Sequence, residues 1–105
     1  MDRILVVDDE KSMREFLSIM LGKEGFSVKE AGDGEAALDL IKREKFDLVL
    51  TDIKMPRGNG MDVLKAVKEA SPETIVLMIT AFASTETAIE AMKEGAYDYL
   101  TKPFK

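Results

Sequence analysis

The feature that most constrains the fold is a regular alternation of short apolar runs with longer amphipathic stretches. Five runs rich in branched side chains are separated by segments whose apolar residues recur every three to four positions. The runs are typical of buried strands, and the segments between them are typical of helices with one face on a core. This alternation predicts an α/β fold, a doubly wound parallel sheet with right-handed crossovers and helices on both faces.

The predicted strands are short and end at polar or turn-forming residues. The most apolar run, 75–79, is expected at the centre of the sheet, and the weakly alternating run 26–31 is expected near an edge. Together the predicted strands cover residues 4–7, 26–31, 48–51, 75–79 and 97–100.

The predicted helices are defined by their apolar stripes and by turn residues. The first stops around Gly22 and Gly25, Asp33 caps the second, and Ser84 caps the fourth, which Gly95 closes. The helical methionines are expected in the core. The four stripes are Met13, Phe16, Leu17, Met20 and Leu21; Ala37, Leu40 and Ile41; Val63, Leu64 and Val67; and Ala88, Ile89 and Met92.

Composition excludes several classes of function. The chain has no Cys and no His, which excludes disulfides, zinc–thiolate sites, histidine bases and an autophosphorylating histidine. A net charge of −5 makes it a poor nucleic-acid binder. No apolar run approaches the ~20 residues of a membrane span, so we expect a cytoplasmic protein.

The 105 residues are expected to form one domain, residues 1–105. A final edge strand is normally followed by a helix that returns over the sheet, but this chain ends at Lys105. We favour a truncated chain over a sheet covered by some other element, because an uncovered apolar face is a liability. The face around Ile4, Val6 and Tyr97 would then favour a homodimer or an exchange of elements between copies.

Polar residues follow four of the five predicted strands, and ligands bind at that edge of a parallel sheet. They are Asp8 and Asp9, then Asp52, Thr80 and Lys102. At ~4 Å and an effective dielectric near 20, two like charges repel by about 4 kcal/mol, so the carboxylates need a cation or retained protons. Lys102 supplies one positive charge, and Mg²⁺ suits an all-oxygen site that also receives a phosphorylated ligand.

Each of these residues also has an ordinary structural explanation. An acidic pair before a helix caps it, an Asp after a strand forms a turn, a Thr favours a strand, and a Lys before Pro is solvated. Their occurrence together at one edge of the sheet favours a functional site.

The same residues resemble the receiver domain of bacterial two-component response regulators. The similarity runs along the whole chain and is strongest to receivers of sigma-54-dependent, nitrogen-regulation-type transcription activators. The finer similarity is carried by residues 80–88 and 95–104. The matching motifs are Ile4-Leu5-Val6-Val7-Asp8-Asp9-Glu10, residues 52–60, Ile79-Thr80-Ala81 and Lys102-Pro103-Phe104.

The resemblance implies a flavodoxin-like strand order 2-1-3-4-5 and specific roles for the site residues. Asp52 matches the phosphoacceptor, and Asp8, Asp9, Asp52 itself and the Lys54 backbone carbonyl match the Mg²⁺ ligands. Thr80 and Lys102 match the hydroxyl and the cation that contact the phosphoryl group. Tyr99 matches the aromatic switch residue, and Lys102-Pro103 matches a cis peptide.

The function implied is a phosphorylation-dependent switch rather than a turnover enzyme. A sensor histidine kinase would donate the phosphoryl group, and the changed conformation would control an output domain that is not present in this chain. The alternative is a docking or dimerisation module that is never phosphorylated. A haloacid-dehalogenase-like phosphatase is disfavoured because Lys54 stands where that family has a second acid, and a flavin module is disfavoured because Asp8-Asp9-Glu10 would repel phosphate.

Overall fold

The computed structural model describes residues 2–55, 57–80 and 85–101. Five parallel strands alternate with four helices over this part of the chain, and the strands are ordered β2-β1-β3-β4-β5. The elements are β1 (Arg3–Val7), α1 (Lys11–Lys23), β2 (Ser27–Ala31), α2 (Gly34–Arg43), β3 (Leu48–Asp52), α3 (Gly60–Ala70), β4 (Ile75–Thr80), α4 (Thr85–Lys93) and β5 (Asp98–Thr101). The predicted fold class and strand order are confirmed. None of the four helices is long and apolar enough to span a membrane.

The strand predictions need small corrections. The middle strand is β3, not the more apolar β4, which lies between β3 and β5. β2 begins after Phe26, whose amide donates to the carbonyl of Leu21 and closes the end of α1. β5 begins after Tyr97, whose amide donates to the carbonyl of Val76.

Two apolar clusters fill the two faces of the sheet. The larger one joins β1, β3 and β4 to α2, α3 and α4, and it includes Val49, Leu64 and Ala91. The smaller one lies beneath α1 and includes Leu17 and Leu50. One face is therefore covered by three helices and the other, within the described residues, by α1.

Several side chains differ from the exposure expected of them. Ile4 and Val6 are 1% and 0% exposed, so the expectation of a bare sheet around them is wrong. α1 covers them with Leu17, while Met13 and Leu21 pack beside it. Tyr97 is exposed as expected, but so are Phe16, Met20, Ile89 and Met92, which the helical pattern had placed in the core.

Helix ends follow the predicted chemistry where they are described. The side chain of Asp33 accepts a hydrogen bond from the amide of Ala36 at 2.8 Å, as a helix cap does. Asn59 caps α3 in the same way by accepting from the amide of Asp62 at 3.0 Å. Gly25 and Gly95 follow α1 and α4 with φ of +94° and +104°, which glycine adopts without strain. The predicted cap Ser84 lies outside the described residues.

A hydrogen-bonded network, here called the basal network, ties the amino-terminal edge of the sheet. Thr74 Oγ1 donates to the buried carbonyl of Phe46 at 2.6 Å and lies 2.8 Å from Ser71 Oγ. The Arg3 guanidinium lies 5.1 Å from the Phe46 ring centroid and pairs with Glu44. The basal network comprises Arg3, Glu44, Lys45, Phe46, Ser71, Glu73 and Thr74.

Its outer part is an ion pair between two loops. Lys45 Nζ lies 2.7 Å from Glu73 Oε1, and Ser71 Oγ donates to the same carboxylate at 3.1 Å. The hydrogen bond from Lys45 is the main cause that lowers the pKa of Glu73 to about 2, and it also raises the pKa of Lys45. The loop before β3 is thus held to the loop before β4.

Candidate functional site

Three carboxylates meet at the carboxyl-terminal edge of the sheet. Val7 pairs with Thr51, so Asp8, which follows β1, lies level with Asp52, the last residue of β3. Oxygens from Asp8, Asp9 and Asp52 lie within 4.8 Å of one another. Asp8 and Asp52 are 2% and 8% exposed, whereas Asp9 faces solvent. The structure therefore brings together the three acids that the sequence placed at one edge.

Asp8 is fixed by contacts from both neighbouring elements. Its amide donates to the carbonyl of Ala31 at 3.1 Å, and its carbonyl accepts from Arg14 Nη1 at 2.8 Å. Its carboxylate also accepts from the amide of Glu10 at 2.9 Å. The capping interpretation is not confirmed, because the amide that Asp8 holds belongs to Glu10, the residue before α1, and α1 has no side-chain cap.

Asp52 is fixed at the end of β3 by hydrogen bonds on both of its polar groups. Its carboxylate accepts from the amide of Ile53 at 2.6 Å, and its carbonyl accepts from Thr51 Oγ1 at 2.9 Å. Gly60 packs directly on the Asp52 carbonyl, where a side chain would overlap the oxygen. These contacts orient one carboxylate at the mouth of the site.

Thr80 lies on β4, next to the strand that bears Asp52, and Tyr99 lies on β5, one strand further along the sheet. Thr80 is fully buried at the end of β4, one residue beyond Ile79, which pairs with Asp52. The Tyr99 hydroxyl lies 3.2 Å from Thr87 Oγ1 on α4. Tyr99 pairs with Met78 and packs against the larger apolar cluster. A chain of contacts thus runs from the strand bearing Thr80 to α4.

The loop after β3 is held by glycines whose part the sequence did not reveal. Lys54, the expected source of a carbonyl ligand, is exposed on this loop. The amide of Glu35 donates to the carbonyl of Arg57 at 3.0 Å, and Gly34 packs on Gly58. The clustering of Gly58 and Gly60 was a visible signal of a tight loop, but its contact with Gly34 depends on the tertiary fold.

The remaining predicted site residues lie outside the described residues. They are Lys102 and Pro103, with the cis peptide expected between them. β5 ends at Thr101, which pairs with Thr80, so the chain enters that region from the level of the site.

The carboxylate group fits a divalent cation by its chemistry. Its donors are all oxygens, and oxygens that share one Mg²⁺ at about 2.1 Å lie no more than about 4.2 Å apart. The 4.8 Å spread among Asp8, Asp9 and Asp52 is close to that limit. A small rearrangement of the carboxylates is enough to surround an ion, which would offset their mutual repulsion.

Comparison with known proteins identifies the family. Residues 4–105 match the model of the response regulator receiver domain. The chain belongs to this family. Receiver domains of response regulators are signalling modules that take phosphoryl groups from histidine kinases and are paired with output domains.

Relatives and solved structures support a more specific assignment. The chain is 46% identical to the response regulator protein PilR of Pseudomonas aeruginosa over 101 residues, which are 96% of the chain and 23% of that protein. It is 41% identical to the beryllofluoride-activated NtrC4 receiver domain dimer, with a TM-score of 0.92, covering 100% of the chain and 87% of that structure. The predicted resemblance to receivers of sigma-54-dependent, nitrogen-regulation-type activators is confirmed.

A third similar structure carries groups relevant to the site. It is a response regulator from Burkholderia pseudomallei with a phosphorylated aspartic acid, a calcium ion and citrate. It shares 30% identity and a TM-score of 0.94, covering 100% of this chain and 62% of that one. The chain spans between about a fifth and a half of the length of the curated relatives it matches.

Proposed function

We propose that this chain is a phosphorylation-dependent switch in which Asp52 accepts a phosphoryl group from a partner histidine kinase with Mg²⁺. The observation that carries the proposal is the buried carboxylate of Asp52 beside those of Asp8 and Asp9 at the carboxyl-terminal edge of the sheet. We also propose that the protein acts in the cytoplasm and that it is joined to an output domain, because the chain spans only between about a fifth and a half of the curated relatives it matches.

The transfer is a displacement at phosphorus. An oxygen of Asp52 forms a bond to phosphorus while the bond from phosphorus to the donor nitrogen breaks, and the donor imidazole keeps that electron pair. The amide of Ile53 holds the other side of the carboxylate, so one oxygen is directed by the backbone. Asp8, Asp9, Asp52 and the Lys54 carbonyl would hold a divalent cation, which would supply positive charge beside the oxygens of the transferred group.

The product is an acyl phosphate that adds about −1.5 to −2 of charge to a site already crowded with carboxylates. We propose that Thr80 and Lys102 satisfy the new oxygens. Tyr99 then leaves its contact with Thr87 and turns into the space beside Thr80. The loss of that contact frees α4 to shift, so that α4 and the segment before it form a two-state element.

The first test is the intact mass after incubation with Mg²⁺ and acetyl phosphate. The wild type should gain one base-labile phosphoryl group, and Asp52→Asn should gain none. Asp39→Asn is the matched control, because it removes one charge from an exposed position on α2 and should still be modified.

Two outcomes contradict the proposal. An adduct of equal yield in Asp52→Asn would assign the acceptor to another residue. Absence of an adduct, together with no stabilisation of the wild type by Mg²⁺, would favour the unphosphorylated docking or dimerisation module.

A further inference from the structure

We infer that the turn between β2 and α2, residues 31–35, positions both sides of the carboxylate site, and that Gly34 is a positioning residue for the loop bearing the Lys54 carbonyl. This inference rests on the proposed function, because it concerns the same metal-binding group. The turn itself contributes no carboxylate to the group formed by Asp8, Asp9 and Asp52.

One side of the turn holds the end of β1. The carbonyl of Ala31 accepts from the amide of Asp8 at 3.1 Å. The Asp8 carbonyl is held separately by Nη1 of Arg14 on α1. The amide of Asp8 is thus held by Ala31, which lies three residues before Gly34.

The other side of the turn holds the loop after β3. The amide of Glu35 donates to the carbonyl of Arg57 at 3.0 Å. A Cβ on Gly34 would lie 2.6 Å from the Gly58 oxygen and 2.9 Å from the Arg57 oxygen. Both are backbone atoms that cannot rotate away, so the loop sits where it does only because residue 34 has no side chain.

The loop is short and is fixed at its base as well as at its apex. The amide of Gly60 donates to the carbonyl of Ile53 at 2.7 Å, which closes the loop beside Asp52. At the apex, the Arg57 carbonyl accepts from the Glu35 amide, and Arg57 and Gly58 have φ of +55° and +97°, which is uncommon for arginine and readily adopted by glycine. Lys54 lies in the same loop, just after its base at Ile53, so we expect a displaced apex to move its carbonyl as well.

A methyl group at residue 34 would force the apex outward by several tenths of an ångström or more. Metal ligands tolerate displacements of only about 0.2–0.5 Å from their productive positions. Gly34→Ala should therefore weaken metal binding, although residue 34 touches neither the metal ligands nor the phosphoryl group.

The experiment compares Gly34→Ala with Gly22→Ala in the full chain. Gly22 is the matched control, because it lies near the end of α1 and a Cβ there would meet no atom within 4 Å. Mg²⁺ affinity is measured by calorimetry, and the rate of phosphorylation by acetyl phosphate is measured as a function of Mg²⁺ concentration. We expect Gly34→Ala to raise the Mg²⁺ dissociation constant about 10-fold, and Gly22→Ala to leave it within about twofold.

Comparing the Mg²⁺ affinity with the phosphorylation rate at saturating Mg²⁺ distinguishes a positioning role of Gly34 from a general loss of structure in Gly34→Ala. Positioning predicts that saturating Mg²⁺ restores most of the rate to Gly34→Ala. An unchanged Mg²⁺ constant in Gly34→Ala, with only a lower melting temperature, would overturn the inference. A wild type that neither binds Mg²⁺ nor forms an adduct would instead overturn the proposed function.

Hydrogen exchange in the wild type tests the same coupling without a substitution. Because linkage is reciprocal, Mg²⁺ should increase the protection of the Glu35 amide, which is bonded to Arg57. The Glu44 amide, bonded to Leu40 at the far end of α2, serves as the internal control. Equal responses of the two amides would overturn the inference even if Gly34→Ala failed to fold.

Discussion

The two edges of the sheet are built on opposite electrostatic rules. At the amino-terminal edge, the basal network pairs Arg3 with Glu44 and Lys45 with Glu73. At the carboxyl-terminal edge, three carboxylates lie within 4.8 Å of one another. The sheet therefore begins among oppositely charged pairs and ends beside three carboxylates of like charge.

The difference between the two edges indicates which one stabilises the fold and which one changes its energy when a cation binds or a residue is modified. Buried polar groups that find partners add stability, while crowded like charges subtract from it until a cation or a chemical change relieves them. Substitutions that remove a polar or charged group should therefore lower the free energy of unfolding at the amino-terminal edge and raise it at the carboxyl-terminal edge.

The largest effect is expected from Thr74→Val in the basal network. The substitution keeps the shape but removes the donor to the Phe46 carbonyl, and Thr74 is only 2% exposed. Leaving that carbonyl without its partner should lower the free energy of unfolding by about 1–3 kcal/mol in urea titrations.

Thr101→Val is the control for the loss of a threonine hydroxyl, because Thr101 is exposed on β5. It should change stability by no more than about 0.5 kcal/mol. An equal decrease in the free energy of unfolding in Thr74→Val and Thr101→Val would show that the basal network adds no stability beyond that of ordinary strand packing.

The opposite sign is expected from Asp52→Asn at the other edge. The asparagine still accepts the hydrogen bond from the Ile53 amide, but one charge leaves the group that contains Asp8 and Asp9. In metal-free buffer the free energy of unfolding should rise by about 1–2 kcal/mol, less than the full repulsion because Asp9 is solvated.

Adding Mg²⁺ should stabilise the wild type more than Asp52→Asn. The difference between their free energies of unfolding should therefore become smaller. Asp39→Asn makes the same change in net charge on α2 and should have little effect. A lower stability of metal-free Asp52→Asn would contradict the comparison between the two edges.

The smallest effect is expected from the pH dependence of the stability that the Lys45–Glu73 ion pair contributes. The pKa of Glu73 is lowered from 4.5 to about 2, chiefly by the hydrogen bond from Lys45. Its contribution is therefore complete above about pH 4.5 and is lost as the pH falls towards 2. Glu73→Gln should lower the free energy of unfolding at neutral pH. The difference from the wild type should disappear as the pH falls from about 4.5 towards 2.

The measurement is urea unfolding at a series of pH values, at low and high salt. High salt should shrink the difference, because both side chains of the pair are exposed and screened. A constant difference between wild type and Glu73→Gln down to pH 2 would assign the effect to something other than this charge.

The fold was predictable wherever burial produced a local pattern. Ile4, Val6 and Leu50 belong to apolar runs, so their strands were found within one residue of the observed bounds. Side-chain exposure on the helices was less predictable. Phe16 and Met92 follow the helical spacing but are exposed, because an apolar spacing does not show how wide a stripe the neighbouring elements cover.

The site was predictable only in part for a similar reason. Asp8, Asp9 and Asp52 end their strands, and parallel strands bring such ends together. The contact of Gly34 with Gly58 joins two segments that are distant in sequence and involves only main-chain atoms. No pattern of residue types along the chain specifies that contact, so it needed the structure.

The loop from Ile53 to Gly60 has a consequence for how such proteins diverge. Main-chain atoms hold it at its base and at its apex, and its geometry depends on Gly34, Gly58 and Gly60. Its length is therefore constrained, while exposed side chains such as Arg57 contribute little to its shape. Receiver domains can therefore differ in the side chains that this loop displays to solvent while the loop keeps the same backbone geometry.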